Sequence, residues 1–174
     1  MHIKQLDYND YTGKKYKAKI HSDKYLSIEP KGDGFDIGWV QVDEPIEKTL
    51  EDDMLSEWLE NPVAYGSFSD DGGLIGYVEG FLEKWNNRYR ISNICVFKTD
   101  GRGKGVGSQL LDTIIKDAIE SGARMAVLET QSYNSKAISF YKKHGFEVIG
   151  FDRFAYSNDG PEEHNMRIEM GKIL

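Results

Sequence analysis

The segment Arg102–Ser108, RGKGVGS, carries the residue types and spacing best suited to binding chemistry in this chain. Gly101, Gly103, Gly105 and Gly107 alternate with Arg102, Lys104 and Val106, between an apolar run and a strongly amphipathic one. A Walker loop needs a glycine and a lysine spaced as GxxxxGK[ST], and that spacing is missing here. A dinucleotide loop needs GxGxxG, but Val106 and Ser108 fall where the third glycine belongs. What remains is RxxGxG at a strand-to-helix turn. A helix N-terminus carries roughly half a positive charge and up to four unpaired N–H groups, and glycines let those amides face a ligand. With Arg102 and Lys104 adding charge, the turn suits an anion such as a pyrophosphate. By itself the pattern also fits a merely flexible turn.

Other reactive residues are sparse. Cys95 is the single cysteine, so no intrachain disulfide can form. It sits in the apolar run ISNICVF with no His or Lys placed to activate it, which reads as a small buried hydrophobe. His2, His21, His144 and His164 lie far apart and form no HxxxH or CxxC type pair, so no metal site is expected. A net charge of −7 repels phosphate backbones on average, which argues against nucleic acid and favours cationic partners. Composition is that of an ordinary globular protein, with 10 Tyr, 8 Phe and 3 Trp, and the 174 residues suit one domain, 1–174. No window resembles a membrane span or a signal peptide, so a cytoplasmic location is expected.

The elements that would position the glycine turn follow from periodicity. KGDG at 31–34 and DDGG at 70–73 read as hairpin turns. Between them, Pro45 opens a run in which Ile46, Leu50, Met54, Leu55, Trp58 and Leu59 recur at helical spacing until Asn61 and Pro62, which predicts an amphipathic helix. VAYGSF, GLIGYVEGFLEKW and RYRISNICVF then read as an antiparallel meander, with a turn at Asn86 and Asn87. After Gly107, Leu110, Leu111, Ile114, Ile115, Ala118 and Ile119 make a helical stripe closed by Ser121 and Gly122. ARMAVLET is apolar on both faces, as a strand in a parallel pairing would be. Asn134–His144 is a second helix ended by Gly145, and FEVIGFDRFAYS and HNMRIEMGKI are two closing strands. The order implies a mixed, mostly antiparallel α/β sheet with helices on both faces.

VFKTDGRGKGVGSQLL, followed about thirty residues on by NSKAISFYKKHGF, resembles the coenzyme A-binding core of the GNAT acetyltransferase superfamily, over roughly residues 75–155. The resemblance implies acetyl-CoA as co-substrate and no metal. It further implies that Arg102, Gly103, Lys104, Gly105, Val106, Gly107 and Ser108 hold the pyrophosphate. Cys95, Val96 and Phe97 on the preceding strand would line the pantetheine. Asn134 and Lys136 would contact the cofactor, and Tyr141 would lie by the thioester sulfur as proton donor to the leaving thiolate. For Asn134 a helix cap is an equally good reading, and for Tyr141 core packing beside Phe140. A narrower resemblance is to streptothricin acetyltransferases. It rests on Trp85, Asn87, Arg88 and Tyr89; on Leu128, Glu129, Thr130 and Gln131; and on Gly145, Phe146, Gly150, Asp152 and Tyr156.

Two departures bear on mechanism. The loop from Val96 to Arg102 holds five residues, FKTDG, where the family usually has four, implying a bulge or register shift. The acidic pair that streptothricin-type enzymes often carry on the strand before the loop is replaced by Ser92 and Asn93, so a base must come from elsewhere or be water. An amine of pKa about 10 is only about one part in a thousand neutral at pH 7, and a proton must leave before attack. Glu129 is the preferred acceptor, as a carboxylate in an apolar strand run, with Glu79 in GYVEG the other candidate. Glu79, Glu129, Asp152, Trp85, Tyr89 and Tyr156 are the expected contacts for a cationic acceptor. The acceptor classes left open are a streptothricin-type antibiotic, a polyamine or other small amine, and a protein amino group. A non-catalytic acyl-CoA sensor is a further alternative, and a second copy of the chain a candidate partner.

Overall fold

The computed structural model describes residues 1–97 and 105–174. In chain order the elements are β1 (His2–Gln5), α1 (Tyr8–Tyr11), β2 (Lys15–Lys31), β3 (Gly34–Asp53), β4 (Val63–Phe68), β5 (Leu74–Glu83) and β6 (Arg88–Val96), then α2 (Val106–Glu120), β7 (Met125–Gln131), α3 (Ser135–Lys143), β8 (Glu147–Asp152) and β9 (Arg167–Ile173). They divide into two compact units. One holds 1–18, 50–127 and 173–174, and the other 19–49 and 128–172.

In the first unit β1, β4, β5 and β6 form an antiparallel run, and β6 pairs parallel with the start of β7, Tyr89 opposite Ala126. The turn around Gly72 (φ +83) joins β4 to β5, and Asn87 (φ +55) turns the chain into β6. The mixed, mostly antiparallel sheet, its meander and its parallel strand therefore follow the sequence expectation. Helix α2 lies against β4, β5 and β6 through Leu110, Leu111, Ile114 and Ala118, all fully or almost fully buried. Each of the leucines and the isoleucine contributes roughly 1.5–3 kcal/mol by leaving water. Polar anchors fix the helix further, since Tyr65 and Tyr89 both donate hydroxyl hydrogen bonds to Asp117 on α2. A second apolar cluster gathers Leu6, Met54, Leu55, Ala64, Phe68 and Tyr77.

Gly80 on β5 shows how tightly this unit is packed. A Cβ there would lie 2.5 Å from Tyr89 Cε1 and 2.7 Å from the Arg90 carbonyl oxygen, which is backbone and cannot step aside. Gly80→Ala is therefore expected to destabilise the fold by about 1–3 kcal/mol, read as a lower urea midpoint at unchanged slope.

The second unit holds the end of β7 beside β9, with β8 antiparallel to β9. Helix α3 is capped by Asn134, whose side chain accepts from the Ala137 N–H at 3.4 Å, and Gly145 (φ +83) follows its end. Most of β2 and β3 also belong here, as a two-stranded ribbon turning at Gly32 (φ +58).

That ribbon overturns the helix expected after Pro45. Residues 45–53 are strand, and Met54, Leu55 and Leu59 are buried in the turns beyond. The half-buried positions of β3 include Val42, Ile46 and Leu50, four apart. A spacing of four satisfies the strand period of two as well as it does the helical 3.6, so these residues share one strand face. The opposite strand supplies exposed partners: Lys15 lies 3.3 Å from Asp53, Lys17 pairs with Glu51, and His21 Nδ1 lies 3.4 Å from Glu47. Such cross-strand pairs reward an antiparallel ribbon and would be lost in a helix.

Candidate active site

The β5–β6 pair carries an irregularity where the chemistry is expected. Glu79 faces Asn93, but the next residue, Gly80, faces Ile91, so Ser92 is the extra residue of a bulge on β6. Around this bulge a carboxylate is enclosed: Glu79 is 0% exposed. Its Oε1 accepts from Ser92 Oγ at 3.0 Å and from Asn93 Nδ2 at 2.8 Å, and its Oε2 accepts from the Leu55 N–H at 2.7 Å. The buried Tyr77 hydroxyl is also bonded to Glu79, and burial, then the Glu79 charge, pushes that phenol well above its ordinary range. Leu55 holds φ +48, an uncommon backbone for a bulky side chain, and this conformation turns its N–H toward Glu79 and Tyr77. Ser92 and Asn93 thus stand where an acidic pair was missed, and both hold an acid lent by the neighbouring strand.

At the end of β6 and just beyond it, Cys95, Val96 and Phe97 are half-buried. Gly105 is the N-cap of α2 with φ +77 and ψ 8, a left-handed residue at the mouth of the helix. The helix begins at Val106, so Gly107 and Ser108 lie in its first turn, one step earlier than the sequence suggests. Val106 is buried, and a Cβ on Gly76 would meet its Cγ1 at 3.1 Å, Leu110 Cδ1 at 3.0 Å and the Cys95 carbonyl oxygen at 3.1 Å. The start of α2 is therefore seated on β5 and β6. Gly105 has no side chain to cap it, and no acid stands in its first turn. Its amides fit an anion, as the glycine pattern anticipates. Arg102, Gly103 and Lys104, and residues 98–101 of the FKTDG loop, lie outside the described residues.

The remaining expected contacts separate by exposure. Trp85 is 84% exposed and open to a ligand. Tyr89 is 2% exposed, and its hydroxyl is engaged by Asp117 on α2. The expectation that Tyr89 packs on an acceptor is therefore corrected: as a strand residue it alternates onto the helix-covered face. In the second unit Glu129 is exposed, which removes the premise of a buried strand-end base. Its Oε1 accepts from the Tyr156 hydroxyl at 3.3 Å, and burial followed by the Glu129 charge pushes Tyr156 above the ordinary phenol range. Asp152 accepts from the Phe154 N–H at 2.9 Å and lies 3.9 Å from Arg167. Lys136 is exposed. Tyr141 is buried on α3 between Phe140 and Phe146, ring centroids 5.4 and 5.9 Å away.

Residues 35–146 match the acetyltransferase (GNAT) family. The chain belongs to this family. The GNAT fold accounts for the mixed sheet, and the glycine turn into α2 sits inside the matched span. Over 155 residues this acetyltransferase is 32% identical to the streptothricin acetyltransferase of Streptomyces lavendulae, covering 83% of the chain and 80% of that protein. It superposes on the crystal structure of nourseothricin acetyltransferase with a TM-score of 0.80 and 25% identity, over 99% of this chain and 97% of that one. A structure from Bacillus anthracis str. Ames, in complex with acetyl coenzyme A, gives a TM-score of 0.71 at 23% identity, over 99% of this chain and 98% of that one.

Among the described residues of this GNAT acetyltransferase, no group of three or more His, Cys, Asp or Glu could hold a metal. No described helix is long and apolar enough to cross a membrane. The parts that sequence reasoning missed are the Leu55 amide, the Tyr77 hydroxyl, and the roles of Ser92 and Asn93 as donors. Ser92 and Asn93 depend on a cross-strand register that a bulge shifts, and the Leu55 amide on a turn far away in sequence, for which the sequence holds no local signal.

Proposed function

We propose that this acetyltransferase moves the acetyl group of acetyl-CoA to an amine of a streptothricin-class antibiotic. The observation that carries the reading is the likeness to the Streptomyces lavendulae enzyme, which spans most of both chains and extends beyond the cofactor core. Acetyl-CoA, when bound, supplies the thioester carbon that the amine attacks. The α2 amides beginning at Gly105 and Val106, with Arg102, Gly103, Lys104, Gly107 and Ser108, are assigned to its pyrophosphate. Cys95, Val96 and Phe97 are assigned to its pantetheine, and Asn134 and Lys136 to further cofactor contacts. Tyr141 is assigned as proton donor to the departing thiolate.

The acceptor of this reading is cationic, and the exposed carboxylates suit it. Glu129, with Tyr156 bonded to it, and Asp152 offer negative charge at a surface that water still reaches. Trp85 offers an aromatic face for a cation. In this reading Glu129 attracts and orients the substrate and does not take its proton. The test is thiol release from acetyl-CoA across a panel of streptothricin, spermidine, aminoglycosides and a lysine peptide. Streptothricin is expected to give the highest kcat/KM. If a polyamine or peptide turns over much faster while streptothricin is inert, the acceptor is misassigned and only the family chemistry stands.

A further inference from the structure

Acetylating an amine requires a group that takes a proton from the ammonium form before the lone pair can attack the thioester. Glu79 is the buried carboxylate among the described residues, enclosed at the bulge of the strand that leads to α2. Among the described residues its hydrogen-bond partners, Ser92, Asn93, Tyr77 and the Leu55 amide, are all neutral, and Tyr77 is the titratable group facing it, with Tyr16 packed behind. A carboxylate removed from water without a cationic partner is costly unless the fold uses it.

We propose that Glu79 is the proton acceptor of the acetyl transfer and that Ser92 is the relay through which the proton reaches it. The assignment rests on the reading of the chain as an amine acetyltransferase. Being fully buried, Glu79 needs an intermediary with access to the surface. Of its partners, the Leu55 amide and the Asn93 carboxamide donate but cannot pass a proton on at neutral pH. Only the two hydroxyls can accept one proton while releasing another. Tyr77 is 0% exposed, whereas Ser92 is half-buried and stands out of register at the bulge. The step balances as two linked transfers. The substrate ammonium, or a water it has protonated, gives a proton to Ser92 Oγ as the serine's own proton moves 3.0 Å away to Glu79 Oε1. The amine is left with its lone pair free, and Glu79 becomes a neutral carboxylic acid that returns the proton to solvent by the same path after the product leaves. Asn93 and the Leu55 amide are positioning groups, fixing Oε1 and Oε2 while the proton moves.

The test compares Ser92→Ala, Ser92→Thr and Glu79→Gln with wild type from pH 6 to 10, using acetyl-CoA and whichever amine of the panel the wild type acetylates best. Ser92→Ala is expected to keep its Tm and its KM for acetyl-CoA and to lose kcat at pH 7 by at least tenfold. Above pH 9 its rate should climb toward wild type, because an amine of pKa about 10 then loses its proton unaided. Ser92→Thr, which keeps the hydroxyl, should recover most of the rate. Glu79→Gln should follow the same pH pattern with a larger deficit; if it fails to fold, the serine pair decides. A Ser92→Ala enzyme with wild-type kcat at pH 7, or with a deficit constant across pH, overturns the proposal. Wild type that is inert with streptothricin but active on another amine refutes the acceptor and leaves this test intact. Wild type inert on every amine refutes both.

Discussion

Gly105→Val is expected to remove most of the stabilisation that acetyl-CoA confers on the wild type. At about a hundred times its dissociation constant, a ligand that binds only the folded state adds about 2.7 kcal/mol, or roughly 5–10 °C in Tm for a chain of this size. Gly105 caps α2 in the left-handed region, φ +77, where a β-branched residue is strained by about 1–2 kcal/mol. Among the described residues nothing lies within 4 Å of the Cβ it would gain, so these leave room for the side chain. The loss therefore falls on the aim of the helix N–H groups and on the space the pyrophosphate would enter. Gly122 provides the control. It has φ +74 and equally open surroundings, but follows the far end of α2. Gly122→Val should lower the unliganded Tm comparably and keep the full acetyl-CoA shift. Equal ligand shifts in the two variants would remove the glycine turn from the binding site, and no shift in wild type at millimolar acetyl-CoA would remove the cofactor altogether.

What the sequence disclosed and what it hid divide along one physical line. The meander β4–β6, the parallel strand β7 and helices α2 and α3 were legible because each buries a face against the rest of the fold, and a buried face writes its period into the chain. The caps were legible for the same local reason: Asn134 and Gly145 act on amides and carbonyls within a turn of themselves. The ribbon was misread because Ile46 and Leu50 are spaced by four, which two periods share, and because cross-strand pairs such as Lys15 with Asp53 are far apart in sequence. The carboxylate site was half legible. Glu79 can be nominated from its apolar neighbours, but Glu129 lies in a run equally apolar. Only the bulge that leaves Ser92 unpaired distinguishes them, since it turns two neutral side chains of β6 onto Glu79 while Glu129 remains in water.

Tyr141→Phe is expected to fold, to keep the acetyl-CoA shift in Tm, and to lose turnover by about tenfold to a hundredfold. The fold is preserved because the ring does the packing. Phenylalanine retains the contacts with Phe140 and Phe146, and the Tyr141 carbonyl still accepts from the N–H groups of His144 and Phe146, each at 3.0 Å. In the proposed role of Tyr141, the rate falls because the departing thiolate loses its proton donor. The fall stays at or below the low end of the roughly hundred- to ten-thousand-fold range for acid catalysis, since a thiol of pKa about 8.5 is already a fair leaving group. The pH dependence separates this loss from that of Ser92→Ala. Raising the pH frees the amine but does nothing for the leaving thiolate, so the Tyr141→Phe rate should not climb toward wild type between pH 6 and 10. A proton acceptor becomes unnecessary as the amine deprotonates, so the Ser92→Ala rate should climb toward wild type over the same interval. Wild-type turnover by Tyr141→Phe from pH 6 to 10 would leave the hydroxyl without a catalytic task and assign Tyr141 to the core between Phe140 and Phe146.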